Sequence, residues 1–131
     1  MTSSTTLSVD CGGGGIKASV LDAEGAIISR AVRTATPYPL PPTTLVETIA
    51  SLAGRLPTAD RVTVGMPGMI RHGVVIATPH YITRDGPRSR VLPELVEAWS
   101  RFNMARAVGE RLDLPALVLN DAEVAGAGVV T

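Results

Sequence analysis

The chain has 131 residues, 45% of them hydrophobic and only 3% aromatic, so one domain-sized core must be built from Val, Leu, Ile and Ala. Twelve basic and twelve acidic residues cancel, and no basic run offers an electrostatic footprint for nucleic acid or for an anionic membrane. Cys11 is the single cysteine, which excludes an internal disulfide and a Cys-based zinc site.

The opening residues, MTSSTTLSVD, lack a basic and apolar leader, and no window approaches the roughly 18 apolar residues of a membrane span. With a lone thiol, this reads as a cytoplasmic protein whose partners are small molecules or other proteins.

Leu7–Asp10 is a short apolar strand that runs into four glycines, Gly12–Gly15. Ile16–Leu21 alternates apolar and polar in period two and predicts a second strand. After a turn at Asp22–Gly25, Ala26–Val32 predicts a third, which makes an antiparallel meander. Thr34–Thr44 holds too many prolines for regular structure and reads as an extended connector. Leu45, Ile49, Leu52 and Leu56 share a helical face, with Thr43 or Thr44 as cap and Pro57 as stop.

Arg61–Met66 is a strand that ends in a turn, and Val74–Ala77 is another short strand. The polar stretch from Thr78 to Arg90 reads as a surface excursion. Glu94–Trp99 predicts a short helix after Pro93, and Met104–Leu112 a longer one capped by Asn103. Pro115–Asn120 suits a buried strand, and a helix begins at or just after Asp121. The order β-β-β-α-β-β-(α)-α-β-α indicates an α/β domain, a mixed sheet with helices on its faces.

Three stretches could carry chemistry. The first is Asp10 with Gly12, Gly13, Gly14, Gly15 and Lys17. Glycines let backbone N–H groups approach an anion, an acid at a strand end can hold a metal beside a polyphosphate, and Lys17 adds positive charge. The loop is neither a P-loop, because no hydroxyl residue follows Lys17, nor a dinucleotide fingerprint, because a strand rather than a helix follows. On spacing alone it is equally a flexible hairpin tip.

The second is Asn120–Asp121, where a strand meets a helix. An Asp there can take a proton from a substrate hydroxyl while the Asn orients a neighbouring one, although the pair also suits an ordinary N-cap. The third is the turn GMPGMI, Gly65–Ile70, which could face a sugar or serve only as a tight turn. His72 reads as a surface residue, and Trp99 as a half-buried packing residue or a sugar platform. Together the three stretches supply what a phosphoryl-transfer cleft needs: a phosphate and metal side, and a base with hydroxyl-reading groups.

In order and wording these stretches resemble the ROK sugar kinases, relatives of bacterial glucokinases within the actin/hexokinase (ribonuclease H-like) superfamily. DCGGGGIK is similar to that family's Asp-x-Gly-Gly-[Thr/Ser]-x-x-Lys phosphate motif, GMPGMIRHGVV to its Gly-x-Pro-Gly segment and VLNDAEVAGAG to its Asn-Asp-Ala segment, with the wording around Gly15 and RHGVV most similar to the polyphosphate glucokinase branch. The resemblance implies Asp121 as general base and Asn120, Gly68 and His80 on the sugar side. It implies Gly12, Gly13, Gly14 and Lys17 on the phosphate side, and Asp10 beside Mg2+ carried with ATP or polyphosphate. The substrate implied is a hexose, glucose first.

Gly14 stands where the family has Thr or Ser, and His80 where relatives carry an Asn. Residues from about Ile82 to Glu97 look like an insertion. The family's Glu-x-Gly-His sugar motif, second phosphate loop and Cys-rich zinc site do not occur in the chain. Residues 1–131 are therefore expected to form an N-terminal lobe that is a poor kinase alone and exposes surface for a homodimer. The family also includes repressors with a DNA-binding domain ahead of the lobes. With the phosphate motif beginning at Asp10, no such domain is expected ahead of it, and non-catalytic sugar sensing is the alternative function.

Overall fold

The computed structural model describes residues 4–121. Seven strands and three helices follow in the order β1 (Thr6–Cys11), β2 (Gly15–Leu21), β3 (Val32–Ala35), α1 (Pro42–Ala53), β4 (Arg61–Met66), β5 (Met69–Arg71), β6 (Val74–Ala77), α2 (Pro93–Trp99), α3 (Met104–Leu112) and β7 (Ala116–Asn120). The helix predicted after Asp121 falls, past Asp121 itself, outside the described residues.

Five strands form a mixed sheet in the order β3-β2-β1-β4-β7, and β5 and β6 form a separate hairpin. β1, β2 and β3 are antiparallel, as the meander reading expects, while β1, β4 and β7 run parallel. The crossover from β1 to β4 contains α1, and that from β4 to β7 contains α2 and α3. Period-two alternation sets which face is buried. Leu7, Val9 and Cys11 of β1 stand beside Ile16, Ala18 and Val20 of β2 and Val62, Val64 and Met66 of β4, all within one core cluster.

Leu45, Ile49 and Leu52 of α1, Leu95 and Trp99 of α2, and Met104 and Val108 of α3 close that cluster. Burial of each large aliphatic side chain stabilises the fold by about 1.5–3 kcal/mol. α3 begins as its sequence suggests, with the Asn103 side chain accepting from Arg106 N at 3.0 Å. It ends at Asp113, whose N–H donates to Gly109 O and whose φ of 56° turns the following Leu114 N–H onto the same oxygen at 3.2 Å. Arg111 in its last turn donates to both carboxylate oxygens of Glu47 on α1, at 2.8 and 3.2 Å.

Four local readings need correction. The third strand is Val32–Ala35, not Ala26–Val32: Ser29 Oγ accepts the Val20 N–H that a ladder would have used, and Ile27 and Ile28 stay exposed. α1 starts at Pro42 and ends at Ala53, with Pro41 at its N-cap and no side-chain cap; Thr48 Oγ1 instead donates back to Thr44 O. The turn after β4 contains a strand, β5, paired with β6. Trp99 is fully buried rather than half-buried, with Nε1 donating to Leu40 O at 2.8 Å, so it offers no platform for a sugar.

Candidate active site

The three candidate stretches meet because of the sheet. β1, β4 and β7 are parallel neighbours, so the glycine hairpin after β1, the Pro67–Gly68 turn after β4 and Asn120–Asp121 at the end of β7 all emerge at one edge. Adjacent strands lie about 4.8 Å apart, which puts the β1 and β7 ends about 10 Å apart. That edge, outside the carboxyl ends of parallel strands, is where open α/β sheets take their ligands.

The hairpin tip is closed by Gly12 N donating to Gly15 O at 2.8 Å. Asp10 pairs across the ladder with Lys17, and Lys17 with Arg33 of β3, so the three share one face in a row and all are exposed. They line a small cleft of about 210 Å3 together with Gly12, Gly15 and Thr34. Local patterns gave no hint of Arg33, since only the β2–β3 register brings it beside Lys17. A Cβ at Gly14 would meet nothing within 4 Å, so the missing hydroxyl of this position leaves open space.

Across the edge, Asn120 Nδ2 donates to Gly68 O at 2.6 Å and ties the β7 end to the turn after β4. Gly68 has φ +117°, a conformation that L side chains rarely adopt, and packs against the Ala77–Thr78 backbone. Thr78 Oγ1 donates to Pro67 O at 3.0 Å and fixes the other side of the same turn. Gly68, Asn120 and His80 line an open cleft of about 610 Å3 whose floor is apolar, from Met69, Ile70, Ala77 and Pro79. Asp121 follows directly, half-buried. His80 also reaches the hairpin, its Cδ2 being 3.9 Å from where a Gly13 Cβ would stand, so one side chain borders both halves of the site.

The Thr78–Arg90 stretch is not a plain surface excursion. Thr78, Tyr81 and Thr83 are buried, and Tyr81 Oη donates to Gly12 O at 2.8 Å. Burial pushes the Tyr81 hydroxyl far above its ordinary value, and the neighbouring Cys11, Tyr38, Asp121 and Asp10 add to the rise. Tyr81 therefore stays protonated, and it feels the acids of both candidate halves. Burial also raises the Cys11 thiol, with a further push from Asp10, so Cys11 is a core residue and not a nucleophile. His72 is exposed, as its sequence context suggests. A further groove of about 500 Å3 along α1, lined in part by Thr44, Glu47, Ser51 and Arg55, lies off the strand ends; its one acid, Glu47, is ion-paired with Arg111.

A mixed sheet led by an antiparallel meander, with a glycine hairpin and polar turns at the edge of its parallel strands, is of the actin/hexokinase-like fold. The ROK family model matches residues 6–129, and the chain belongs to the ROK family.

Among its relatives, an N-acetylmannosamine kinase of Escherichia coli O157:H7 is 29% identical over 122 residues, which is 92% of this chain and 37% of that protein. The solved inorganic polyphosphate/ATP-glucomannokinase from Arthrobacter sp. strain KM superposes with a TM-score of 0.74 at 27% identity, covering 95% of this chain and 47% of that one. A ROK family glucokinase from Streptomyces griseus, solved in complex with glucose and AMPPNP, gives a TM-score of 0.71 at 27% identity, covering 93% of this chain and 35% of that one. The chain thus spans less than half the length of each of these relatives.

Proposed function

We propose that residues 1–131 are the N-terminal lobe of a two-lobed sugar kinase, supplying the base and one phosphate motif for phosphoryl transfer from ATP or polyphosphate to a hexose hydroxyl. The observation that carries this reading is the convergence of the glycine hairpin, the Gly68 turn and Asn120–Asp121 on one sheet edge. Asp121 accepts the proton of the attacking hydroxyl. The freed oxygen bonds to the terminal phosphorus as the bond from that phosphorus to ADP, or to the shortened polyphosphate, breaks. Asn120, braced by Gly68, orients a neighbouring hydroxyl, and His80 borders the sugar cleft.

On the other side, the amides of Gly13 and Gly14 and the charge of Lys17 receive the phosphates, with Gly12, whose own N–H is given to Gly15 O, lining the same cleft and Arg33 as a further cation in it. Among the described residues no three His, Cys, Asp or Glu gather as a metal cage. Mg2+ does not need one, because it keeps several waters and takes one or two carboxylates plus substrate phosphates. Asp10, exposed beside the phosphate-sized cleft, fits as that carboxylate, directly or through water. The ion would neutralise charge on the transferring phosphates.

Glucose is the first substrate to test, beside mannose and N-acetylmannosamine. A cytoplasmic location and a homodimer belong to the same reading, and for the homodimer the exposed Ile76 and Leu117 offer apolar surface. Non-catalytic sugar sensing is favoured by one feature, the bare Gly14 in the phosphate hairpin.

The test is to incubate the complete protein that carries this lobe with each sugar and either Mg-ATP or Mg-polyphosphate, and to follow the products by phosphorus NMR. A new hexose phosphate signal is expected. Calorimetric hexose binding without any such signal would favour the sensor, and neither binding nor ester would refute both readings.

A further inference from the structure

The glycine hairpin poses a physical problem that the rest of the structure addresses. Four consecutive glycines have the largest backbone entropy of any tetrapeptide, whereas a cradle of amides binds an anion well only if it is held in place beforehand. Every carbonyl of the tip is engaged. Gly12 O accepts from Tyr81 Oη at 2.8 Å and from Thr36 Oγ1 at 3.1 Å. Gly13 O accepts from Tyr38 Oη at 2.6 Å, Gly14 O from Thr36 N at 3.2 Å and Gly15 O from Gly12 N. A peptide unit is planar and trans, so its N–H points opposite to its carbonyl. Fixing Gly12 O and Gly13 O inward therefore aims the Gly13 and Gly14 N–H groups outward.

We infer that Tyr38 and Tyr81 are positioning residues for the anionic phosphate donor, their hydroxyls locking the Gly12 and Gly13 carbonyls so that the next two amides face it. The inference rests on the phosphate reading of the hairpin proposed above. Both hydroxyls come from well-anchored rings. Tyr81 is fully buried, with its ring centroid 6.3 Å from that of Tyr38 and 5.8 Å from that of Trp99. Trp99 in turn is pinned through Leu40 O.

The Thr78–Arg90 stretch completes the brace. Gly86 lies flat on Tyr38, where a Cβ would come within 3.1 Å of the ring, and Pro87 sits equally close to the Cβ position of Gly13. Because burial raises both hydroxyls above their ordinary values, each remains a donor at neutral pH. Thr36 supports the same loop but holds it by hydroxyl and amide from the neighbouring connector.

The test uses the 15N-labelled complete protein that carries this lobe, with inorganic tripolyphosphate as probe and NMR to read binding as weak as the millimolar range. In the wild type, tripolyphosphate is expected to shift the Gly13 and Gly14 amides most, and their order parameters to be near the rigid value of about 0.85. Tyr38→Phe and Tyr81→Phe are each expected to weaken the apparent Kd by about threefold, and the pair by about tenfold, as those order parameters fall toward about 0.6. Ile49→Val, which thins the core without touching the hairpin, separates positioning from general destabilisation and is expected to leave Kd unchanged.

Half-buried Tyr38 keeps the test available if Tyr81→Phe does not fold. Unchanged Kd and order parameters in Tyr38→Phe would overturn the positioning role while leaving the phosphate reading intact. No tripolyphosphate shift in the wild type would overturn the phosphate reading itself, and the inference with it.

Discussion

Gly68→Ala isolates the backbone feature on which the sugar side depends. At φ +117° an added Cβ would fall inside contact distance of the Ala77 carbonyl oxygen and 2.8 Å from Thr78 Cα. Both are backbone atoms of β6 and the residue after it, and Thr78 is fixed in turn by its bond to Pro67 O, so neither can step aside cheaply. The dihedral strain costs about 1–3 kcal/mol and the steric overlap a similar about 1–3 kcal/mol. A loss of about 2–6 kcal/mol is expected, a large part of the roughly 5–15 kcal/mol that holds a domain together.

Gly14→Ala is the matched control. Its Cβ would meet nothing within 4 Å, so the smaller entropy of the unfolded chain should stabilise it by about 0.4–1 kcal/mol. Urea unfolding followed through Trp99, the only tryptophan and fully buried, reads both variants. A Gly68→Ala variant within about 0.5 kcal/mol of wild type would refute the assigned backbone conformation and with it the Asn120–Gly68 brace.

Trp99→Phe leaves the buried Leu40 carbonyl without its donor and shrinks the core, so a loss of about 2–4 kcal/mol is expected, measured by circular dichroism during urea unfolding. The Glu47 carboxyl is held below its ordinary 4.5, first by its hydrogen bond from Arg111 and then by that residue's charge, so its small stabilising effect is present at neutral pH and vanishes as pH falls through the depressed value. The melting temperatures of wild type and Glu47→Gln should therefore differ at pH 7 and converge in acid. Cys11 should resist a thiol-specific alkylating reagent in the native chain and label fully in denaturant, as mass spectrometry would show, because burial disfavours its thiolate.

Features set by nearby residues were legible in the sequence. The alternation of Ile16–Leu21 and the Asn103 cap each depend on a few neighbours, and each stands where it was expected. The candidate residues could be named from the sequence, but that they share one sheet edge needed the parallel order β1-β4-β7. Long-range partners escaped. Tyr81 reaches Gly12 across 69 positions, so a polar, turn-rich stretch gave no sign that its tyrosine was a core residue bracing the hairpin. Arg33 was hidden for a related reason: Ser29 diverts the chain before β3, and only the resulting register sets Arg33 opposite Lys17.

In the proposed function Asp121 acts as base at a cleft shared by the glycine hairpin and the Gly68 turn. The most direct test of that role is the turnover of hexose phosphorylation by the complete protein with Asp121→Asn, beside a urea melt of the same variant. Turnover should fall by about 100-fold or more with stability nearly unchanged, because the amide keeps the shape and loses the basicity. Turnover within a few-fold of wild type in a folded Asp121→Asn protein would contradict the account.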